Sequence, residues 1–320
     1  MSERFRVTVV GAGLMGPGIA ACAAAAGHPV CLVDVDPETA SRGVEKARLL
    51  IRQLADNRLI DRDRAEAASN LLRAGPDLPT ACAGASLVIE AAPEKLLLKQ
   101  QIFRRLDELM PSNAILTSNT SGLRITDIAS AALHKERIAG THFWYPGHLV
   151  PLVEIVMSDH TAGNVATTLQ DLLRSWGKAP VIVRKDLPGQ LANRIFQAVI
   201  REALNIVQMG LATPEDVDTA IKMGMGLRFP VWGPLEHIDA VGLDLALSVQ
   251  RDVLPSLNNE PYPPRLLQQL VSEAALGCKA GHGIYDWGKK DLGALMDKRD
   301  GFIIQALHYL RTAPNPPSVS

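Results

Sequence analysis

The 320-residue sequence has almost no charge imbalance: 33 basic side chains meet 34 acidic ones, leaving a formal charge of −1. A chain so balanced has no basic footprint for nucleic acid and no cationic surface for an anionic membrane. Long hydrophobic runs are also lacking. Gly, Pro or a charged residue interrupts every apolar stretch short of the roughly 20 residues that a membrane span requires. Cysteine is scarce, and Cys22, Cys31, Cys82 and Cys278 form no CxxC pair and have no histidine at ligand spacing. This excludes a disulfide framework and a metal site of the zinc type, and it points to a reducing compartment, the cytoplasm. The opening MSERFRVTVV runs directly into strand-like sequence, so no signal peptide is expected. What is present is ordinary globular composition, 47% hydrophobic and 21% charged. The length favours two domains, because single cores rarely grow past about 250 to 300 residues.

The first half alternates short β-branched runs with helical stretches. Strands are expected at Phe5 to Val10, Val30 to Asp34, Leu87 to Ala91, Ala114 to Ser118, Arg137 to Thr141, Val153 to Met157 and Ala179 to Val183. Helices are expected between them: after Gly11, over Ala40 to Leu72 in two pieces, and over Glu94 to Leu109. That alternation predicts an α/β fold, a doubly wound and mostly parallel sheet of the Rossmann type. The short gap between Phe143 and Leu152 suits a hairpin better than a crossover. After Lys185-Asp186-Leu187-Pro188-Gly189 the strands stop. A long amphipathic helix over Gln190 to Gln208 ends at Gly210. Thr213-Pro214-Glu215-Asp216 then opens another with an N-cap and a first-turn proline, and further helices follow near Leu243 to Leu254 and Pro264 to Ala275. Domains of 1–187 and 188–320 result, the second all-α. The final APNPPSVS is Pro-rich and uncharged, a pattern of disorder.

Gly11-Ala12-Gly13-Leu14-Met15-Gly16 matches G-x-G-x-x-G between a strand and a helix, the context a dinucleotide site needs. The first Gly makes the tight turn, the second lets backbone approach a pyrophosphate, and the third lets helix and strand pack closely. Asp34 ends the next strand, where a carboxylate accepts from the adenine-ribose hydroxyls. It also repels a 2′-phosphate, and Val35 rather than Arg follows, so the cofactor expected is NAD. A Gly-rich turn that merely packs a helix is the plain alternative.

His142 follows a strand, and Glu154 lies in the apolar run Leu152-Val153-Glu154-Ile155-Val156. A carboxylate there is costly to bury unless paired. A hairpin through Pro146 to Pro151 would bring it beside His142, giving a general acid/base whose tautomer the carboxylate fixes. Ser118-Asn119-Thr120-Ser121-Gly122 lies at a carboxyl-end loop, suited either to hold a substrate oxygen or to cap the helix before Ile125. Asn193 and Arg194 begin the long helix, facing either the site or solvent. Arg228 sits in an apolar setting, Gly224-Met225-Gly226-Leu227 before it and Phe229-Pro230-Val231-Trp232 after it. A guanidinium buried there needs an anion: Glu236, a dimer partner, or the carboxylate of a small hydroxy acid.

GAGLMGPGIA, EAAPE, SNTSG, THFWYP…PLVEIV, PGQLANR, GPLEHIDAVGLD and GCKAGHGIYDW, with their spacing, resemble the NAD-dependent L-3-hydroxyacyl-CoA dehydrogenase family over nearly the whole chain. The resemblance implies a catalytic role for His142, Glu154, Ser121 and Asn193, the last two contacting substrate. It implies cofactor contacts at Gly11 through Gly16, Asp34, Glu94, Lys99, Ser121 and Lys279. It also implies a homodimer joined through the helical domain, whose apolar surface exceeds what so small and aromatic-poor a lobe needs, and a role in fatty-acid metabolism. Two departures stand out. Tyr145 replaces a family Asn that touches the cofactor. The segment Gly226-Leu227-Arg228-Phe229…Gly233-Pro234-Leu235-Glu236 is similar to the branch acting on free hydroxy acids, the L-gulonate dehydrogenase (lambda-crystallin) group, while THFWYP…PLVE resembles a pyridine-carboxylate dehydrogenase. The hairpin over Ala40 to Leu72, where the family grips CoA with lysines, has only Lys46. The substrate expected is therefore a hydroxyacyl-CoA or a free hydroxy acid of gulonate, carnitine or pyridine-carboxylate type. A crystallin-like protein that binds NAD without turnover is the contrasting reading.

Overall fold

The strand sequences explain the sheet. VTVV, VCLV, LVIE and ILTS are short, apolar and rich in β-branched residues, and each is buried along its whole length. Continuous burial is what a parallel strand covered on both faces requires. The computed structural model describes residues 5–312; the APNPPSVS tail lies outside them. The order is β1 (Val7–Val10), α1 (Gly16–Ala25), β2 (Val30–Val33), α2 (Pro37–Asp56), α3 (Arg62–Asn70), β3 (Leu72–Ala74), α4 (Leu78–Cys82), β4 (Leu87–Glu90), α5 (Leu96–Leu109), β5 (Ile115–Ser118), α6 (Ile125–Ala129), β6 (Ile138–Phe143), β7 (Leu152–Met157), α7 (Gly163–Ser175), β8 (Ala179–Val183) and α8 (Ala192–Gln208). The eight strands form one sheet in the order β3-β2-β1-β4-β5-β6-β7-β8. Pairing is parallel except between β6 and β7, which run antiparallel as the short gap between them predicts.

Alternation along the strands builds two cores. Val7, Val9, Leu32, Leu87 and Ile89 point to one face, packed by Ile19 of α1, Ile51 of α2 and Leu169 of α7. Val10, Cys31, Val33, Val88 and Leu116 point to the other, packed by Phe103 and Leu106 of α5 and Ile125 and Ile128 of α6. Each of those large side chains contributes roughly 1.5 to 3 kcal/mol by leaving water. The order reverses between β1 and β4. That reversal opens a crevice at the carboxyl ends of the strands, which is where such sheets hold ligands.

The two compact units of the chain divide between Arg194 and Ile195. The second unit is helical. After the body of α8 come α9 (Pro214–Ala220), a π turn at Ile221–Met225, α10 (Gly226–Arg228), α11 (Pro234–Val241), α12 (Leu243–Val253), α13 (Arg265–Ser272) and α14 (Leu292–Thr312). The Thr213 hydroxyl accepts from Asp216 N and caps α9, as its sequence predicts. Among the described residues of this unit only Leu204 and Ile304 are buried apolar side chains. Large apolar side chains stand exposed instead, on α12 (Leu243, Leu245, Leu247, Val249) and around Arg228 (Leu227, Phe229, Val231).

Two sequence expectations need correction, and one helix leaves no clear signal in the sequence. The end of the Ala40 to Leu72 stretch, expected to be helical, is the start of edge strand β3, three residues that pair with β2 and are too short to show a period. The long helix α14 was not foreseen; its apolar residues follow no clear stripe and Gly293 and Gly301 interrupt it. Arg228 is not a buried cation. It is exposed, because the apolar residues around it are exposed too. Glu236, one of its three expected partners, instead accepts from Gly233 N at 2.8 Å and caps α11.

Candidate active site

The turn after β1 is shaped by its glycines. Gly11 has φ +104°, and a Cβ there would stand 2.6 Å from the Ala91 carbonyl oxygen, so only Gly fits. A Cβ on Gly16 would stand 1.9 Å from the Gly11 oxygen, which is how closely α1 meets the turn. Around Gly13 the same position is open space, leaving its backbone free to be approached. No side chain caps the first turn of α1. Its N-terminal dipole and N–H groups thus suit an anion such as a pyrophosphate. Leu14 is exposed and Met15 half-buried beside the turn. Asp34 follows β2 at the same edge, its Oδ2 accepting from Ala12 N at 2.7 Å and its Oδ1 from Val35 N at 2.8 Å. Open backbone, an uncapped helix start and a positioned carboxylate together fit a dinucleotide with free ribose hydroxyls.

A second group of charges lies past β4. Glu90, wholly buried, accepts from Lys99 Nζ at 2.7 Å, from Ala92 N at 2.6 Å and from the Ser118 hydroxyl at 2.5 Å. Lys99 is also buried, and reaches Glu94 at 3.5 Å. Glu94 in turn accepts from Ser121 N and Gly122 N, each at 3.0 Å, and from the Thr120 hydroxyl. Burial works upward on the Glu94 carboxyl, but Thr120, Lys99 and the two N–H groups outweigh it and lower its pKa. The ammonium of Lys99 is thus spent on the protein itself and acts on the site through Glu94, which shapes the Ser121 loop. The hydroxyl and amide cluster does not cap α6: the residue before that helix is Arg124, which makes no cap bond, and the Asp186 carboxylate accepts from Thr126 N at 2.6 Å instead.

The hairpin of β6 and β7 sets the chemistry. In its register His142 stands directly opposite Glu154. His142 Nδ1 lies 2.8 Å from Glu154 Oε2, and His142 Nε2 lies 3.0 Å from the Ser121 hydroxyl. Glu154 has no solvent exposure and takes three further bonds: Trp144 Nε1 donates to Oε2 at 2.9 Å, and Leu191 N and Ala192 N donate to Oε1 at 2.9 and 2.8 Å. Burial pushes the Glu154 carboxyl upward. The donors, His142 first, more than reverse this and bring it from 4.5 down to about 2. An ionised carboxylate accepts only, so Nδ1 carries the His142 proton and Nε2 is left as the acceptor facing Ser121. That is the tautomer a general base requires. Asn193 Nδ2 donates to the Ser121 carbonyl at 3.2 Å, bringing the fourth expected residue to the same place.

Arg228 and Lys279 belong to the second unit, both exposed, Lys279 in a short turn at Cys278–Ala280. Sequence reasoning missed Trp144, Glu90, Gln190 and the N–H groups of Leu191 and Ala192. Only Trp144 left a usable signal: it lies two residues past His142, where an extended chain returns to the same face. Among the described residues no group of three or more His, Cys, Asp or Glu side chains could hold a metal ion.

A glycine turn at the order reversal of a doubly wound sheet, with a histidine–carboxylate pair at neighbouring strand ends, defines a dinucleotide-dependent oxidoreductase. Comparison with known proteins specifies the family. The model of the 3-hydroxyacyl-CoA dehydrogenase NAD binding domain matches residues 6–187, and that of the C-terminal domain matches 189–287. The 5-formyl-3-hydroxy-2-methylpyridine 4-carboxylate 5-dehydrogenase of Mesorhizobium japonicum is 34% identical over 92% of this chain and 94% of its own. The human mitochondrial hydroxyacyl-coenzyme A dehydrogenase is 35% identical over 88% and 90%. Among solved structures, a 5-formyl-3-hydroxy-2-methylpyridine 4-carboxylic acid 5-dehydrogenase, described as an NAD+-dependent dismutase, superposes with a TM-score of 0.90 at 31% identity, covering 98% of this chain and 100% of that one. The (S)-3-hydroxybutyryl-CoA dehydrogenase PaaH1 from Ralstonia eutropha gives 0.73 at 32% identity, covering 89% and 99%. The chain belongs to the 3-hydroxyacyl-CoA dehydrogenase family. It is an NAD-dependent dehydrogenase acting on CH–OH groups.

Proposed function

We propose that this dehydrogenase acts on a small, free hydroxy acid, with His142 as the acid/base. The observation that carries the chemistry is the unbroken chain from Glu154 through His142 to Ser121. The substrate hydroxyl binds between Ser121 Oγ and His142 Nε2. Its proton passes to Nε2, the carbinol carbon becomes a carbonyl, and Glu154 balances the imidazolium that forms. The Gly11 to Gly16 turn and Asp34 would hold NAD, which would supply the hydride acceptor for that carbon. Asn193 and Glu94 keep the Ser121 loop in place for the transfer. The contrasting reading, NAD binding without turnover, does not explain why a buried carboxylate is held ionised against the imidazole.

The preference for a free acid rests on α2 and α3. Arg48 is bound to Glu45 and to the Ser69 and Leu72 carbonyls, and Arg64 to the Ala25 carbonyl. Arg48 and Arg64 are thus spent on their own fold, Lys46 is the single lysine of the Ala40 to Leu72 stretch, and the relative with a TM-score of 0.90 carries a pyridine carboxylate in its name. A 3-hydroxyacyl-CoA, and with it a place in fatty-acid metabolism, is the second reading, favoured by the human relative's name. Arg228, exposed, remains the candidate for gripping the acid's carboxylate. The active form we propose is a homodimer, since a helical unit with only two buried apolar side chains among its described residues needs a partner to cover its apolar faces. Its four free thiols suit the reducing cytoplasm. The test is NADH formation from NAD with matched free hydroxy acids and 3-hydroxyacyl-CoA thioesters. Turnover of free acids alone is expected. Turnover of thioesters alone overturns the substrate proposal, and full activity in His142→Gln overturns the acid/base assignment.

A further inference from the structure

Gln190, in the turn between β8 and α8, adopts a conformation its residue type disfavours. Its φ is +55°, in the left-handed region where a side chain crowds the backbone. It is 4% exposed, and its amide oxygen is buried with no hydrogen-bond partner. Two costs therefore persist at a single residue, and such costs collect where function over-determines a conformation. What the conformation achieves is visible around it. Gln190 Nε2 donates at 2.8 Å to the Thr120 carbonyl, the group that immediately precedes Ser121. The next two N–H groups hold Glu154 Oε1, and the side chain after them reaches the Ser121 carbonyl. Four consecutive residues thus grip the two segments that flank His142.

Glycine would take this φ without strain but offers no donor. Asparagine tolerates it better than glutamine does but is one methylene too short to reach Thr120. The residue present is the one with the poorer backbone fit and the longer reach. We propose that Gln190 is a positioning residue: it fixes the Thr120–Ser121 peptide so that the Ser121 hydroxyl stays within hydrogen-bond reach of His142 Nε2. It acts through Ser121, and the inference rests on the acid/base reading above.

Two variants separate this role from plain packing. Gln190→Met keeps the length and removes both the donor and the unpaired oxygen. Gln190→Asn relieves the backbone and loses the reach. In both, the melting temperature is expected to equal or exceed that of the native protein. Amide exchange over residues 119–123, measured without any ligand, should be at least tenfold faster. With a hydroxy substrate that the native enzyme turns over, kcat should fall at least tenfold while KM for NAD stays within twofold. Native exchange, native kcat, or a fall in melting temperature that parallels the loss of kcat in both variants would overturn the proposal. His142→Gln is assayed alongside. If it is inactive while the Gln190 variants are fully active, only this inference fails; if it too is active, the acid/base reading fails with it.

Discussion

Replacing Glu154 by Gln tests the centre of the site at one atom. The carboxylate accepts four bonds, two at each oxygen. A glutamine can keep the pair from Leu191 N and Ala192 N only by placing its oxygen there, which turns its amide nitrogen toward His142 and Trp144. The amide then donates to His142 Nδ1, which must give up its proton, so Nε2 becomes the protonated nitrogen and can no longer accept from an alcohol. Trp144 Nε1 is left facing a donor. Two charge-assisted bonds of roughly 1.5 to 3 kcal/mol each are lost, one of them partly replaced, so the folded state should weaken by about 2 to 3 kcal/mol at neutral pH. Turnover should drop by about 10² to 10⁴, the range for loss of a working base. Because the Glu154 carboxyl is held at about 2 rather than 4.5, its contribution to stability is complete above 4.5 and disappears as pH falls toward 2. The stability gap between native and variant proteins, measured by denaturant unfolding, should therefore be widest near neutral pH and narrow steadily below pH 4.5. A variant with native turnover, or a gap that stays constant down to pH 3, would refute this account of the dyad.

Other perturbations give separable outcomes. Trp144→Phe keeps an aromatic ring, though a smaller one, and removes one donor from Glu154, so acid unfolding should move to higher pH and neutral stability should fall by about 1 to 2 kcal/mol, read from denaturant curves against pH. Catalytic efficiency should favour NAD over NADP by at least about tenfold, or roughly 1.4 kcal/mol, since Asp34 lies where a 2′-phosphate would have to sit; initial rates with the two cofactors decide it. Gly16→Ala should cost about 3 kcal/mol or more, because its Cβ would overlap the Gly11 carbonyl oxygen and backbone must move; a melting curve close to native would contradict the tight turn.

Much of the site was legible in the sequence because its parts are local. Gly11 to Gly16 and Asp34 follow strands whose β-branched runs are unmistakable, and a hairpin is the simplest closure for a nine-residue step, so the sequence alone pairs His142 with Glu154. What stayed hidden depends on contacts across long chain separations. Nothing in LPGQLANR announces that its N–H groups return to a carboxylate 37 and 38 residues earlier, or that Gln190 reaches a carbonyl 70 residues away. The resemblance alone implies Lys99 as a cofactor contact, and nothing local in the sequence shows that Glu90, Glu94 and the Ala92 carbonyl hold its ammonium inside the fold. Arg228 was misread in the opposite sense, since apolar neighbours in sequence imply burial only when something covers them. One cause links the two residues. In the first unit a charge is buried because the sheet supplies its counter-charge within the fold, whereas in the second the apolar side chains around Arg228 are exposed among the described residues. The sequence pattern alone carries the apolar periodicity in both cases and cannot say whether the covering surface comes from the same unit or from another.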